Sequence, residues 1–247
     1  MPQTIRYWQA ARAPRYSLLF ALPLLLLYEL LAFVLSHDAI AGVRNGADVL
    51  LKSVFVALGG RNGVLIFGVL LVGTGAVLAY RDWRRAGREL SWRVFPGMMA
   101  ESVFYAVIFG FVTASITSIV LHGTLYVAAG ATQGGMTQLD LPTQLMVSLG
   151  AGIYEELLFR VLLVAGLAKL GAMLGWRPLV AGIFAAIIGA LIFSAFHYIG
   201  PYGDPFEISS FTFRTIAGIL FSALYLIRGF GIAAWTHALY DIFLTLR

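Results

Sequence analysis

Long apolar runs separated by short polar stretches dominate the chain. Seven of them approach or exceed the roughly 20 residues that a bilayer-crossing helix needs: 17–36, 63–80, 97–121, 143–168, 179–199, 211–228 and 229–246. They are continuously apolar and do not alternate, which argues against a membrane β-barrel. The pattern predicts an all-α fold, a polytopic transmembrane helical bundle of about seven spans. Between the first two spans Ala47, Val49, Leu50, Leu51, Val54, Phe55 and Leu58 recur with helical spacing, while Arg44, Asp48 and Lys52 are polar. An amphipathic helix near 40–58, interfacial or re-entrant, is expected there.

Composition agrees with the pattern. Of the 247 residues 60% are hydrophobic and only 12% are charged, and the mean hydropathy is +0.86. A soluble domain is near half apolar and a quarter charged. The net charge of +5 does not point to nucleic acid, and no nucleic-acid partner is expected. The arginine-rich stretch 81–93 lies between two apolar spans, where basic loops meet the cytoplasm and anionic lipid. Arg6, Arg12, Arg15, Arg81, Arg84, Arg85, Arg88, Arg93, Lys169, Arg177 and Arg228 all fall on one side if the N-terminus is cytoplasmic; Arg44, Lys52 and Arg61, and more weakly Arg247, are the exceptions. The first apolar run follows a basic region and no small-x-small site follows it, so it is expected to be an uncleaved first helix. There is no cysteine, which excludes disulfides, thiolate catalysis and cysteine-held metals.

Against this background one stretch is out of place. Tyr154-Glu155-Glu156-Leu157-Leu158-Phe159-Arg160 puts two carboxylates and a guanidinium inside the apolar run 141–170. Ionisable groups at that depth cost a few kcal/mol each, about 2.5–3.5 on insertion scales, and mark function when they persist. On an α-helix Glu156 and Arg160 share a face, and Glu155 is turned about 100° from Glu156, so the two carboxylates cannot aim at one atom. Arg160 is expected to hold Glu156 and leave Glu155 facing a cavity. Two further spans bring polar groups: His197 ends the fifth, and His237 and Asp241, four apart, share a face of the last.

Taken singly, a lone histidine at a helix end is a hydrogen-bonded interfacial residue, and one His–Asp pair is a local brace. Pooled, they form one site more simply than three separate braces. A carboxylate and an imidazole together deprotonate water, and a second histidine donates to an oxyanion. The alternative is zinc held by Glu155, His197 and His237. The His-Glu-x-x-His signature of common metalloproteases is absent. A proton-coupled transporter also buries Glu and His, but the sequence has neither paired halves nor matched broken helices.

At these residues the sequence resembles the CAAX-processing and bacteriocin-processing (CPBP) membrane proteases, also called type II CAAX prenyl endopeptidases or glutamic intramembrane proteases, with lysostaphin-resistance proteins among them. The family motifs Glu-Glu-x-x-x-Arg, Phe-x-x-x-His and His-x-x-x-Asn read here as Glu155-Glu156…Arg160, Phe193…His197 and His237…Asp241. The resemblance covers about 140–247, an intramembrane protease core, and leaves 1–139 as a transmembrane region without a recognised motif. It implies that Glu155 is the general base assisted by His197, that Glu156 and Arg160 set its position, and that His237 with residue 241 stabilises the oxyanion. No cofactor is expected, zinc being the alternative. Expected partners are membrane lipid and a protein or peptide substrate with an anchor or hydrophobic tail, in the plasma membrane of a bacterium. The departure is Asp241 for Asn, because an ionised Asp cannot donate to an oxyanion. A non-catalytic relative, such as an immunity factor or scaffold, is the competing expectation.

Overall fold

The computed structural model describes residues 7–36, 42–86, 88–121, 139–200 and 203–246. Among these the elements are helical: α1 (Tyr7–Arg12), α2 (Pro14–Ser36), α3 (Gly46–Gly59), a short turn of tighter helix, α4 (Gly63–Arg85), α5 (Val94–Val120), α6 (Leu141–Gly150), a π-helix (Ala151–Val164), α7 (Ala165–Met173), α8 (Pro178–Phe196), α9 (Ile208–Arg228) and α10 (Phe230–Thr245). The stretch 122–138 lies outside the described residues.

Helix starts follow from local chemistry. α2 and α8 begin at Pro14 and Pro178, where the missing N–H costs nothing. Asp140 caps α6 by accepting from the Thr143 N–H, and Pro142 fills its first turn. α9 and α10 are separated by Gly229 alone, at φ 84°, a left-handed conformation that glycine adopts without strain.

Among the described residues five helical stretches are long and apolar enough to cross a membrane: 14–36, 46–85, 94–120, 178–196 and 208–228. The chain is an integral membrane protein by that measure and by its outward face. Leu26, Leu30, Phe33, Phe111, Ile119 and Leu179 are all exposed and apolar, as lipid contact requires. The expected spans 143–168 and 229–246 are also helix, but neither reaches the same length and apolarity as one helix. The first passes through α6, the π-helix and α7, carrying its charges with it, and α10 has 16 residues. These two hold the acidic motif and the His237 motif.

α10 is the centre of the bundle. It packs against α2, α5, α6, α9 and the π-helix. It contributes to both apolar clusters, one built around Tyr16, Met98 and Phe221 and the other around Leu24, Met146 and Tyr154. Small residues let it approach. A Cβ on Gly152 would lie 2.4 Å from the Ala234 carbonyl oxygen and 2.7 Å from Ala238 Cβ, the close backbone contact typical of small residues between membrane helices.

The expected helix near 40–58 exists as α3, but its polar face is turned the other way from that of an interfacial helix. Asp48 and Lys52 are buried, while Leu50, Val54 and Leu58 are exposed. The reason is the supply of partners inside. Lys52 Nζ reaches Asp48 Oδ1 at 2.7 Å and Glu29 Oε1 at 3.0 Å, and Arg44 bridges Asp48 and Glu29 at 3.0 and 3.3 Å. Tyr28 donates to Asp48 at 2.7 Å and Tyr154 donates to Glu29. Buried charges survive when paired this densely, and the apolar side of α3 is left to lipid.

Candidate active site

The acidic motif lies on the π-helix, whose closing residue Ala165 bonds back to the Arg160 carbonyl. π-helical geometry is rare and is found mostly as single turns at functional sites; here it spans the whole motif. Glu155 and Glu156 are neighbours on it. Both reach the same imidazole, that of His237, but from opposite sides. Glu156 Oε1 is 2.7 Å from His237 Nδ1, and Glu155 Oε2 is 3.9 Å from His237 Nε2. The two carboxylates share a ring without sharing an atom.

Each remaining residue of the three motifs stands at the same place. Arg160 NH1 is 3.3 Å from Glu156 Oε1. Its guanidinium otherwise lies over the rings of Phe193, at 4.4 Å, and Phe221, at 5.5 Å. Phe221 also stacks on the His237 ring at 4.5 Å. His197 follows directly after α8. Its Nδ1 is 2.9 Å from the Phe193 carbonyl oxygen; a carbonyl only accepts, so Nδ1 carries the proton and Nε2 presents a lone pair. That Nε2 is 4.0 Å from Glu155 Oε2. The position of His197 is fixed from behind: the Asp204 N–H donates to its carbonyl at 2.9 Å, and Asp204 pairs with Arg214. Asp241 Oδ2 is 3.7 Å from His237 Nε2.

Access is graded. Side-chain exposure is 0% at Glu156, 1% at Arg160, 4% at His237 and 9% at Glu155, but 25% at His197 and 28% at Asp241. The site has a sealed floor made by the Glu156–Arg160 pair and a mouth between His197 and Asp241. The mouth is at the end where α8 stops and α9 starts. The opposite end carries Arg15 paired with Asp82 at 2.7 Å, and Arg228 held by Glu101 and the Trp8 carbonyl.

The donor types around the mouth, two imidazoles and two carboxylates, are those of a zinc site. Their spacing is not. Donors around tetrahedral zinc lie about 3.4 Å apart, whereas neighbouring pairs here are separated by 3.7, 3.9 and 4.0 Å. Among the described residues no group of three or more His, Cys, Asp or Glu is gathered closely enough to hold a metal ion. The side chains as they stand do not fit the metal, and no step below runs through one.

Sequence reasoning missed one direct neighbour of Glu155. Asn45, the residue before α3, donates from Nδ2 to Glu155 Oε1 at 2.7 Å. The signals that pointed there were an Asn immediately before a helical periodicity and a lone carboxylate, Glu29, within the first apolar span.

Residues 137–243 match the family model described as type II CAAX prenyl endopeptidase Rce1-like. Neither a curated protein nor a solved structure matches the chain. The matched stretch contains all three motifs and ends two residues after Asp241; Asn45 and the charged cluster of α2 and α3 lie outside it. It is over residues 137–243, which bring those motifs together in one membrane-embedded cluster, that the chain is similar to the Rce1-like type II CAAX prenyl endopeptidases, a family of membrane proteases.

Proposed function

We propose that this protein is an intramembrane endopeptidase that hydrolyses a peptide bond of a membrane-associated protein, close to its anchor or hydrophobic tail. One observation carries the reading. Glu155 Oε2 is buried, has no hydrogen-bond partner among the described residues, and faces two imidazole Nε2 atoms at 4.0 and 3.9 Å. Those distances exceed a hydrogen bond and approach the about 4–4.5 Å spanned by one water bonded to two neighbours.

In the reaction a water between Glu155 Oε2 and His197 Nε2 attacks the scissile carbonyl carbon. Glu155 takes the proton of the attacking water, and His197 accepts the other hydrogen bond and aims the oxygen. His237 faces the developing oxyanion with Nε2. Glu155, Glu156 and Asp241 against Arg160 leave two negative charges, and the imidazolium form of His237 offsets one of them. The imidazolium keeps one N–H on Glu156 and offers the other to the oxyanion. Asp241, too far for a hydrogen bond with His237 and unable to donate when ionised, favours that imidazolium through its charge. Glu155 then returns its proton to the leaving amine as the C–N bond breaks. The products are a new carboxylic acid, which gives up its proton to solvent, and a new amine, and no covalent intermediate forms.

The mouth lies away from the basic end of the bundle. With basic residues cytoplasmic, the N-terminus is inside and the mouth opens outward, towards exported or membrane-anchored substrates in the plasma membrane of a bacterium. The test is reconstitution of the purified protein in vesicles carrying a membrane protein fraction, followed by mass spectrometry of newly formed N-termini. Cuts adjoining hydrophobic segments, present with the wild-type protein and missing with His237→Ala, are expected. Identical termini with and without the protein contradict the reading.

A further inference from the structure

We infer that Asn45 is a positioning residue for the base, supplied by the part of the chain that precedes the family-matched stretch; the inference rests on the protease reading above. Asn45 is 2% exposed and performs two tasks with its two amide atoms. Oδ1 accepts from the Ala47 N–H at 3.0 Å and caps α3, while Nδ2 donates to Glu155 Oε1 at 2.7 Å. Serine, threonine or aspartate would serve as the cap. Only an amide caps with its oxygen and donates to a carboxylate with its nitrogen. With Oε1 occupied by Asn45, the carboxylate plane is set and Oε2 is the atom left facing both imidazoles.

The neighbourhood is built to hold Asn45 against the catalytic helix. A Cβ on Gly150 would stand 2.7 Å from Asn45 Cβ and 2.5 Å from the Tyr28 ring, so the approach depends on glycine there. A Cβ on Gly46 would meet the Phe196 ring at 3.3 Å, so the start of α3 touches both the helix of Glu155 and the end of the helix before His197. The Glu29–Lys52–Asp48–Arg44 cluster, in which Asp48 and Lys52 are buried and Glu29 is half-exposed, then ties α3 to α2, with Tyr154, the residue before Glu155, donating to Glu29. Residues outside the recognised core thereby fix the base from the side opposite the histidines.

Two variants separate the tasks of Asn45. Asn45→Ser keeps a capping oxygen and loses the donor to Glu155. Asn45→Asp keeps the cap and sets a second carboxylate against Glu155. A hydrogen bond to a charged group is worth on the order of 10- to 100-fold in a rate that depends on it. With a membrane-anchored peptide substrate, Asn45→Ser is expected to lower kcat by about that factor and Asn45→Asp by more, with KM within about twofold and the melting temperature within a few degrees of wild type. Wild-type kcat in both folded variants overturns the inference, as does a loss of activity that follows a loss of melting temperature. Glu155→Gln run alongside separates the two levels. If it too is fully active, the protease reading itself fails; if it is dead while both Asn45 variants are fully active, only the role of Asn45 fails.

Discussion

Glu156 and His237 are 81 positions apart in the chain and 2.7 Å apart in space, Oε1 to Nδ1. This contact joins the acidic motif to the last helix and orients the His237 ring so that its other nitrogen faces Glu155. Arg160 holds Glu156 from behind, and Phe221 supports the ring face. In the proposed reaction the two adjacent glutamates have different tasks, Glu156 orienting the imidazole and Glu155 presenting Oε2 to the water.

The two histidines should be distinguishable by kinetics. His197→Ala removes one acceptor for the attacking water and is expected to lower kcat about 100-fold. His237→Ala removes the oxyanion donor and should cost on the order of 100- to 1,000-fold. In the Glu155→Gln background His197→Ala should cost little more, because both groups act on the same water. Steady-state turnover of a membrane-anchored peptide by the purified variants checks the order and the non-additivity.

Arg160 should behave as a structural keystone. It is 1% exposed and has Glu156 as its ion partner. Arg160→Met leaves a buried carboxylate uncompensated, and the expected cost is about 3–5 kcal/mol. Arg160→Lys should also destabilise, because a point charge does not replace a planar group lying over Phe193 and Phe221. Thermal unfolding in detergent or nanodiscs measures both, with turnover lost in step.

Gly152 predicts a packing effect on chemistry. In Gly152→Ala the new Cβ meets the Ala234 carbonyl oxygen at 2.4 Å, and backbone cannot yield as a side chain can. Overpacking of this kind costs about 1–3 kcal/mol, and displacement of α10 carries His237 away from both glutamates. A shift near 1 Å is worth about 100-fold in rate. Gly166→Ala is the control: nothing lies within 4 Å of its Cβ, so the variant should match or slightly exceed wild type in stability and retain full turnover.

Because the donor spacing does not suit zinc, exhaustive chelation should leave turnover within about twofold of the untreated protein. Loss of activity on chelation, restored by zinc, would show that the site closes around a metal in solution.

Much of this was legible in the chain. Glu155, Glu156, Arg160, His197, His237 and Asp241 announce themselves because charge in an apolar run is costly, and their clustering follows from that cost. The direction of α3 was not legible, because the partners that draw Asp48 and Lys52 inward, Glu29 and Tyr28, belong to another helix and meet them only in the folded chain. The π-helix was not legible either: the sequence around Glu155 has ordinary helical composition. Asn45 combined both difficulties, a cap visible locally whose second bond spans 110 positions.

The central claim, that Glu155 activates the water, is tested most directly by the turnover of Glu155→Gln. Purified and folded, with the melting temperature of wild type or higher, the variant should cleave a membrane-anchored peptide at least about 1,000-fold more slowly than wild type in the same chelated buffer. Turnover within a few-fold of wild type would contradict the account, since Gln keeps the shape of Glu155 and its bond to Asn45 but cannot take a proton from water.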